Sequence, residues 1–234
     1  MCGRFTITLD ASVVQEELEL GEMPKGWIPR YNVAPSQPIP VVTNETDRKV
    51  EWMHWGLIPS WAKDPSIGQR MINARSETLA EKPSFRNAYR RRRCLILADG
   101  FYEWQRPGGK GGPAIPFFFR RKDQRAFAFA GLWEIWQSSL GDELVSATII
   151  TCSPNPLVQK VHKRMPVILQ DINMWEWLKP NEKNTLQGML TPYDEGLMEA
   201  YEVGRDVNSP KNDRPEVLIP IPRENSALPP SLFS

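Results

Sequence analysis

Between Arg93 and Cys152 this 234-residue chain is a near-continuous succession of strand patterns, and that stretch limits the folds open to it. Arg93–Ala98 and Phe101–Gln105 flank the turn pair Asp99-Gly100. Ile115–Arg121, Ala126–Trp136 and Leu144–Cys152 follow, all rich in the aromatic and β-branched residues that suit a pleated, half-buried surface. The glycine-rich run PGGKGGP at 107–113 reads as a turn and as the most flexible tip of the chain. It lacks the strand-to-helix setting and the following Ser/Thr of a phosphate loop. Before this stretch, Gly3–Leu9 reads as a strand, and Asp10 caps a helix running to about Leu20. Residues 21–38, with Pro24, Pro29, Pro35 and Pro38, read as a structured loop. Ile39–Thr43 and Lys49–Trp55 form a strand pair across the polar turn at 44–47, and residues 56–72 make a connection long enough to carry a function.

Short helices are expected at Ser76–Glu81, Pro83–Tyr89 and Pro156–Val161, then a short strand at Pro166–Gln170. Helices at Asp171–Leu178 and Glu182–Leu190 and a last strand at Glu199–Val203 complete the elements. The tail after Val207 holds six prolines and reads as irregular. With no repeat, low-complexity block or linker, residues 1–234 read as a single α+β domain. Its core is largely antiparallel β, barrel-like or two packed sheets, with short helices at the periphery.

A net charge of +1 excludes a strong overall attraction to nucleic acid, so any anion-binding surface must be local. The three cysteines, Cys2, Cys94 and Cys152, are odd in number and widely spaced. They fit neither a disulfide framework nor a zinc site, which points to a reducing cytosol. No 18-residue apolar run is available to span a membrane, and no apolar signal region precedes Cys2.

Cys2 is chemically special only if Met1 is removed, which its small side chain permits. The product carries an amine and a thiol on neighbouring carbons; the amine condenses with an aldehyde to an imine, and the thiol closes a five-membered thiazolidine. The α-amine titrates near about 7.7–8.0 and the thiol near about 8.5, so both are partly available at neutral pH. The alternative is an incidental second-position cysteine. Of the two histidines, His54 in the strand pattern EWMHWG reads as structural. His162 lies in the loop VHKRMP, where neighbouring cations favour a neutral imidazole, although a solvated loop histidine is the default reading of these residues alone. Glu103, among aromatics in ADGFYEW, is either solvent-facing by alternation or partly desolvated, the latter suiting it to general acid work. Asp99 reads as a turn residue beside Gly100. Asn32 and Asn73 are amides in apolar settings, which satisfy backbone groups or orient a substrate oxygen. Arg86 and the run Arg90–Arg93 form the one strong basic cluster, either a solvated helix end or a phosphate-contacting patch. Trp55 and Trp61 lead into Lys63, Arg70 and Arg75, aromatics beside cations of the kind that grip single strands, though tryptophans also fill cores.

MCGRF at the start, then YNVAPSQ, WGLIPSWAKD, INARSET, ADGFYEW and VHKRMPV, in this order and across most of the chain, resemble the SRAP family. These are the SOS response-associated peptidase-like or abasic-site processing proteins. The resemblance implies that Cys2, freed of Met1, forms a thiazolidine crosslink with the ring-opened aldehyde of an abasic site in single-stranded DNA. It implies catalytic roles for Glu103, His162 and Asn73, the last holding the sugar. DNA contacts are implied for Arg4, Asn32, Arg75, Arg86, Arg90 and Thr151, with a wedge at Pro35 and Trp61. Some relatives carry tandem tryptophans where this chain has Trp61-Ala62, so weaker base stacking is expected here. The expected partner is single-stranded DNA containing abasic sites, bound by a cytoplasmic monomer that joins the nucleoid on damage, with no membrane, no cofactor and no metal. Lyase chemistry by β-elimination and self-removal of Met1 are plausible companions of the crosslink. Two other readings stand beside it: a cysteine peptidase or autopeptidase using Cys2, His162 and Glu103, and a non-catalytic module that grips DNA by its basic run and tryptophans.

Overall fold

The computed structural model describes residues 2–107, 112–180 and 182–222, so most of the expected glycine-rich tip lies outside the described residues. The strands are β1 (Phe5–Ile7), β2 (Arg30–Val33), β3 (Pro38–Thr43), β4 (Val50–Trp55), β5 (Asn73–Arg75), β6 (Arg93–Ala98), β7 (Gly100–Gln105), β8 (Ile115–Arg121), β9 (Phe127–Gln137), β10 (Glu143–Cys152), β11 (Met165–Pro166) and β12 (Met198–Glu202). The helices are α1 (Ala11–Glu17), α2 (Arg86–Arg91), α3 (Pro156–Gln159), α4 (Asp171–Leu178) and α5 (Lys183–Gly188). Strands β10, β4, β3, β6 and β9 pair in succession and β9 returns to β10, closing a five-stranded barrel. Only the β10–β4 and β10–β5 pairings are parallel among the described residues. A second sheet, ordered β12-β8-β7-β1-β2, packs against the barrel. The chain is thus a mixed α+β domain with a largely antiparallel core.

Phe5 of β1 lies between the two sheets, edge-on to Trp55 of β4 at 5.1 Å and to Phe129 of β9 at 5.9 Å. All six residues of β6 are buried, because the barrel interior takes one face and α4 covers the other. The Trp177 indole of α4 donates to the Cys94 carbonyl at 3.1 Å. A strand covered on both faces reads as a continuous apolar run rather than an alternation.

Four elements differ from expectation. The loop at 21–38 contains β2, an edge strand whose flanking Pro29 and Pro35 concealed it. INARSET contains β5, a three-residue strand too short to show a period. The expected helix at 76–81 is a single 3-10 turn over Ser76–Thr78, and α1 ends at Glu17 rather than about Leu20. The tail is not structureless where described: 3-10 turns at Arg205–Asn208 and Pro215–Leu218 bury Val207 and Val217 against Tyr102 and Phe118, on the outer face of the second sheet.

Candidate active site

The longest strands build the site. β10 pairs with β9 and β4 over its first seven residues, then runs on past the barrel. Its far end takes β5 on one side, with Asn73 opposite Ile149 and Arg75 opposite Thr151. On the other side it takes β11, with Pro166 opposite Thr151. β10 therefore delivers both Asn73 and the His162 loop to one place. β7 supplies the third component. Its alternation sends Tyr102 outward and Phe101 and Glu103 inward, which settles the orientation of Glu103: the residue is 3% exposed, not solvent-facing. The N-terminal segment lies beside β7, Phe5 opposite Phe101 and the Tyr102 amide donating to the Arg4 carbonyl at 3.0 Å.

Four of the expected residues converge. The Asn73 side-chain amide donates to the Cys2 carbonyl at 2.7 Å, and His162 Nδ1 lies 3.7 Å from Glu103 Oε1. Cys2 is completely buried; burial pushes its thiol well above the ordinary range, and the nearby Glu103 carboxylate pushes it further. Burial lifts the Glu103 carboxyl from 4.5 to about 7, so at neutral pH it is divided between acid and base forms. His162 is held below its usual value, first by burial, so its imidazole is neutral at pH 7. Its Nδ1 accepts from the Arg164 amide at 3.1 Å. Asn73 Oδ1 is buried without a hydrogen-bond partner among the described residues, an acceptor turned inward beside Cys2. Together these groups offer a held backbone, a carboxylic acid poised near neutrality and a neutral base.

The expected DNA contacts divide. Arg75, Arg86 and Arg90 are exposed, Pro35 is half-buried, and Trp61 is 57% exposed. Arg4 borders a cleft of about 380 Å³ with Gly3, Trp104, Arg106, Ala114 and Asn208, its guanidinium 5.8 Å above the Trp104 ring. Asn32 is fully buried, accepting from Arg4 at 2.7 Å and donating to the carbonyls of Val207, Ser209 and Asn212, so it anchors Arg4 beside the cleft. Thr151 is fully buried as well, its hydroxyl donating to the Ala74 carbonyl and accepting from Arg164. The basic run is also less available than expected. Arg93 is buried on the carbonyls of Tyr89, Arg90, Trp177 and Lys179, and Arg92 pairs with Glu134. Asp99 is more than a turn residue: buried between the sheets, its carboxylate accepts from Thr6 Oγ1, the Thr8 amide and hydroxyl, and the Leu9 amide. Trp104, Arg106 and Arg164 went unread as site residues. Trp104 lies on the Tyr102 face of β7, opposite Glu103, with Arg106 just past the strand, and Arg164 lies two residues from His162. No cluster of three or more His, Cys, Asp or Glu side chains able to hold a metal occurs among the described residues, and no described helix is long and apolar enough to cross a membrane.

Residues 1–210 match the family described as SOS response associated peptidase (SRAP). Similar proteins include abasic site processing protein YoqW of Bacillus subtilis, 49% identical over 93% of this chain and 99% of its own length. Abasic site processing protein HMCES of Gallus gallus is 32% identical over 94% of this chain and 78% of its own length. A solved protein from Bacteroides thetaiotaomicron shares the fold with a TM-score of 0.82 and 28% identity, covering 93% of this chain and 99% of that one.

Proposed function

The chain belongs to the SRAP family, and from that premise we propose that it processes abasic sites in single-stranded DNA by capturing the sugar covalently on Cys2. The observation that carries this reading is the convergence of the Cys2 backbone, Asn73, Glu103 and His162 in one buried place. An abasic sugar is mostly a closed hemiacetal and must open before an amine attacks. Glu103, half-protonated at neutral pH, gives its proton to the ring oxygen as the C1–O bond breaks, and the C1 hydroxyl gives up its own proton to leave the aldehyde. The Cys2 amine, exposed by removal of Met1, adds to the aldehyde carbon and water leaves, giving an imine. The thiol sulfur then bonds that carbon and its proton passes to nitrogen, completing a thiazolidine with loss of one water overall. His162, neutral, shuttles these protons. Asn73 Oδ1 accepts from a sugar hydroxyl while its amide holds the Cys2 carbonyl. A high thiol pKa suits this order, because it leaves the amine to attack first. Proton loss next to the imine opens a β-elimination branch. Arg75 and the Arg4–Trp104–Arg106 cleft supply flanking phosphate and stacking contacts.

The test is incubation with an abasic single-stranded oligonucleotide followed by denaturing electrophoresis and intact-mass analysis. A heat-stable adduct of protein plus DNA minus one water is expected, absent for Cys2→Ala and for protein acetylated at the α-amine. Undiminished adduct in both would overturn the reading. The family description also names a peptidase. That role needs a thiolate, which burial and Glu103 suppress at Cys2; hydrolysis of peptides in trans is therefore expected to be absent.

A further inference from the structure

We propose that Glu77 is a positioning residue for His162, acting through Arg164. The inference rests on the reading above for its rate effect, and on geometry alone for the rest. Glu77 is the penultimate residue of the INARSET segment, just beyond β5 and four residues past Asn73. Its carboxylate takes the Arg164 guanidinium in a two-point fork, Oε1 from Nη1 at 2.6 Å and Oε2 from Nη2 at 3.0 Å. Nη2 also donates to the Thr151 carbonyl and lies 3.2 Å from the Thr151 hydroxyl. One guanidinium therefore ties together β10, the turn after β5 and the His162 loop. A planar fork on a carboxylate fixes orientation as well as distance, which a single-point contact does not.

The consequence falls on His162 because the backbone of Arg164 meets the imidazole. The Arg164 amide donates to Nδ1 at 3.1 Å, its carbonyl lies 3.0 Å from the same nitrogen, and Glu103 Oε1 stands 3.7 Å away. The other end of this segment is also tied: Gln105, two residues beyond Glu103 on β7, donates to the Lys160 carbonyl at 2.8 Å. The loop from Lys160 to Arg164 thus hangs between two side-chain anchors. The Gln105 anchor holds its start to the strand of the acid, and the Glu77 anchor holds its end to the segment of Asn73. Releasing Glu77 frees the end that touches the imidazole.

Among the described residues the charged groups facing His162 are Glu103 from β7 and Arg164 from its own loop, the latter paired with Glu77, and the charge of the amino terminus lowers the His162 pKa as well. The chain has only two histidines, so a proton and nitrogen NMR titration of the free protein resolves His162 beside His54 as an internal control. In Glu77→Ala the loosened loop is more hydrated, and the His162 midpoint is expected to rise toward the ordinary histidine value while that of His54 stays in place. Glu77→Gln, which keeps one acceptor, is expected to fall between. In the crosslinking assay at saturating DNA, Glu77→Ala is expected to slow adduct formation about tenfold, and to add nothing in a His162→Ala background, where the positioned group is gone. A His162 midpoint unmoved in Glu77→Ala overturns the proposal whether or not any adduct forms. Rate losses that multiply fully in the double variant overturn it too. Absence of adduct from the unaltered protein, with the midpoint shifted as expected, overturns the crosslinking reading and leaves the positioning role standing.

Discussion

At the scale of single residues, Glu103 makes the sharpest commitment. Its folded pKa of about 7 exceeds the ordinary 4.5, so the folded state holds a proton that the unfolded chain releases between these values. The stability it contributes is complete below about 4.5 and is lost as pH rises through 7. Glu103→Gln removes that titration. Relative to the unaltered protein, the variant is expected to gain up to about 3 kcal/mol between pH 4.5 and pH 8, measured by urea unfolding at both pH values. The same substitution is expected to slow adduct formation at least tenfold at pH 6.5, because an amide cannot hand a proton to the ring oxygen. His162 has the opposite sign. Its lowered pKa costs stability as pH falls below about 6.5, so the pH range of greatest stability is squeezed from both sides. For Asn73→Ala the loss of the Cys2 carbonyl bond is expected to cost about 1 kcal/mol in stability, with a larger effect on the adduct rate.

At the scale of elements, the clamp between β1 and β7 decides where Cys2 sits. Asp99 holds Thr6, Thr8 and Leu9 from the turn that begins β7, so the strand after Cys2 and the strand of Glu103 cannot slide apart. Asp99→Ala strands four buried or half-buried donors and is expected to destabilise by about 2–4 kcal/mol in urea. Gly56 sets a second constraint. At φ +132° a Cβ there would meet the Gly68 carbonyl oxygen at 2.6 Å, so Gly56→Ala is expected to lower Tm by several degrees through the long connection leading to Asn73. These elements also show what the residues alone could tell. The strands from β6 to β10 announced themselves because aromatic and β-branched runs of six or more residues carry their own signal. β2 and β5 did not, because four and three residues between prolines or turns show no period, and long-range pairing to β1 and β10 makes them strands. Glu103 and His162 stood out as chemistry, but alternation alone left open which face Glu103 takes. The burial of Asn32 and Thr151 depends on partners 175 and 13 residues away, which their neighbours in sequence do not reveal. Glu77 and Arg164 lie 87 residues apart, and no local pattern pairs them.

At the scale of the whole molecule, the C-terminal segment is part of the site's foundation. Val207 accepts from Arg4 at 2.8 Å, and the Asp213 carboxylate takes the amides of Tyr31 and Asn32 at 2.6 and 2.9 Å. Deletion from residue 211 onward is expected to lower Tm, measured by calorimetry, and to weaken DNA binding at the Arg4 cleft more than Asp206→Ala does, since Asp206 pairs only with exposed Arg214 through its side chain. The pocket that closes over Cys2 is assembled from residues 71, 101 and 160 positions downstream of it. On the ribosome the second residue emerges before any of these exist. Cys2 loses its last accessible surface only once those later segments have folded onto it.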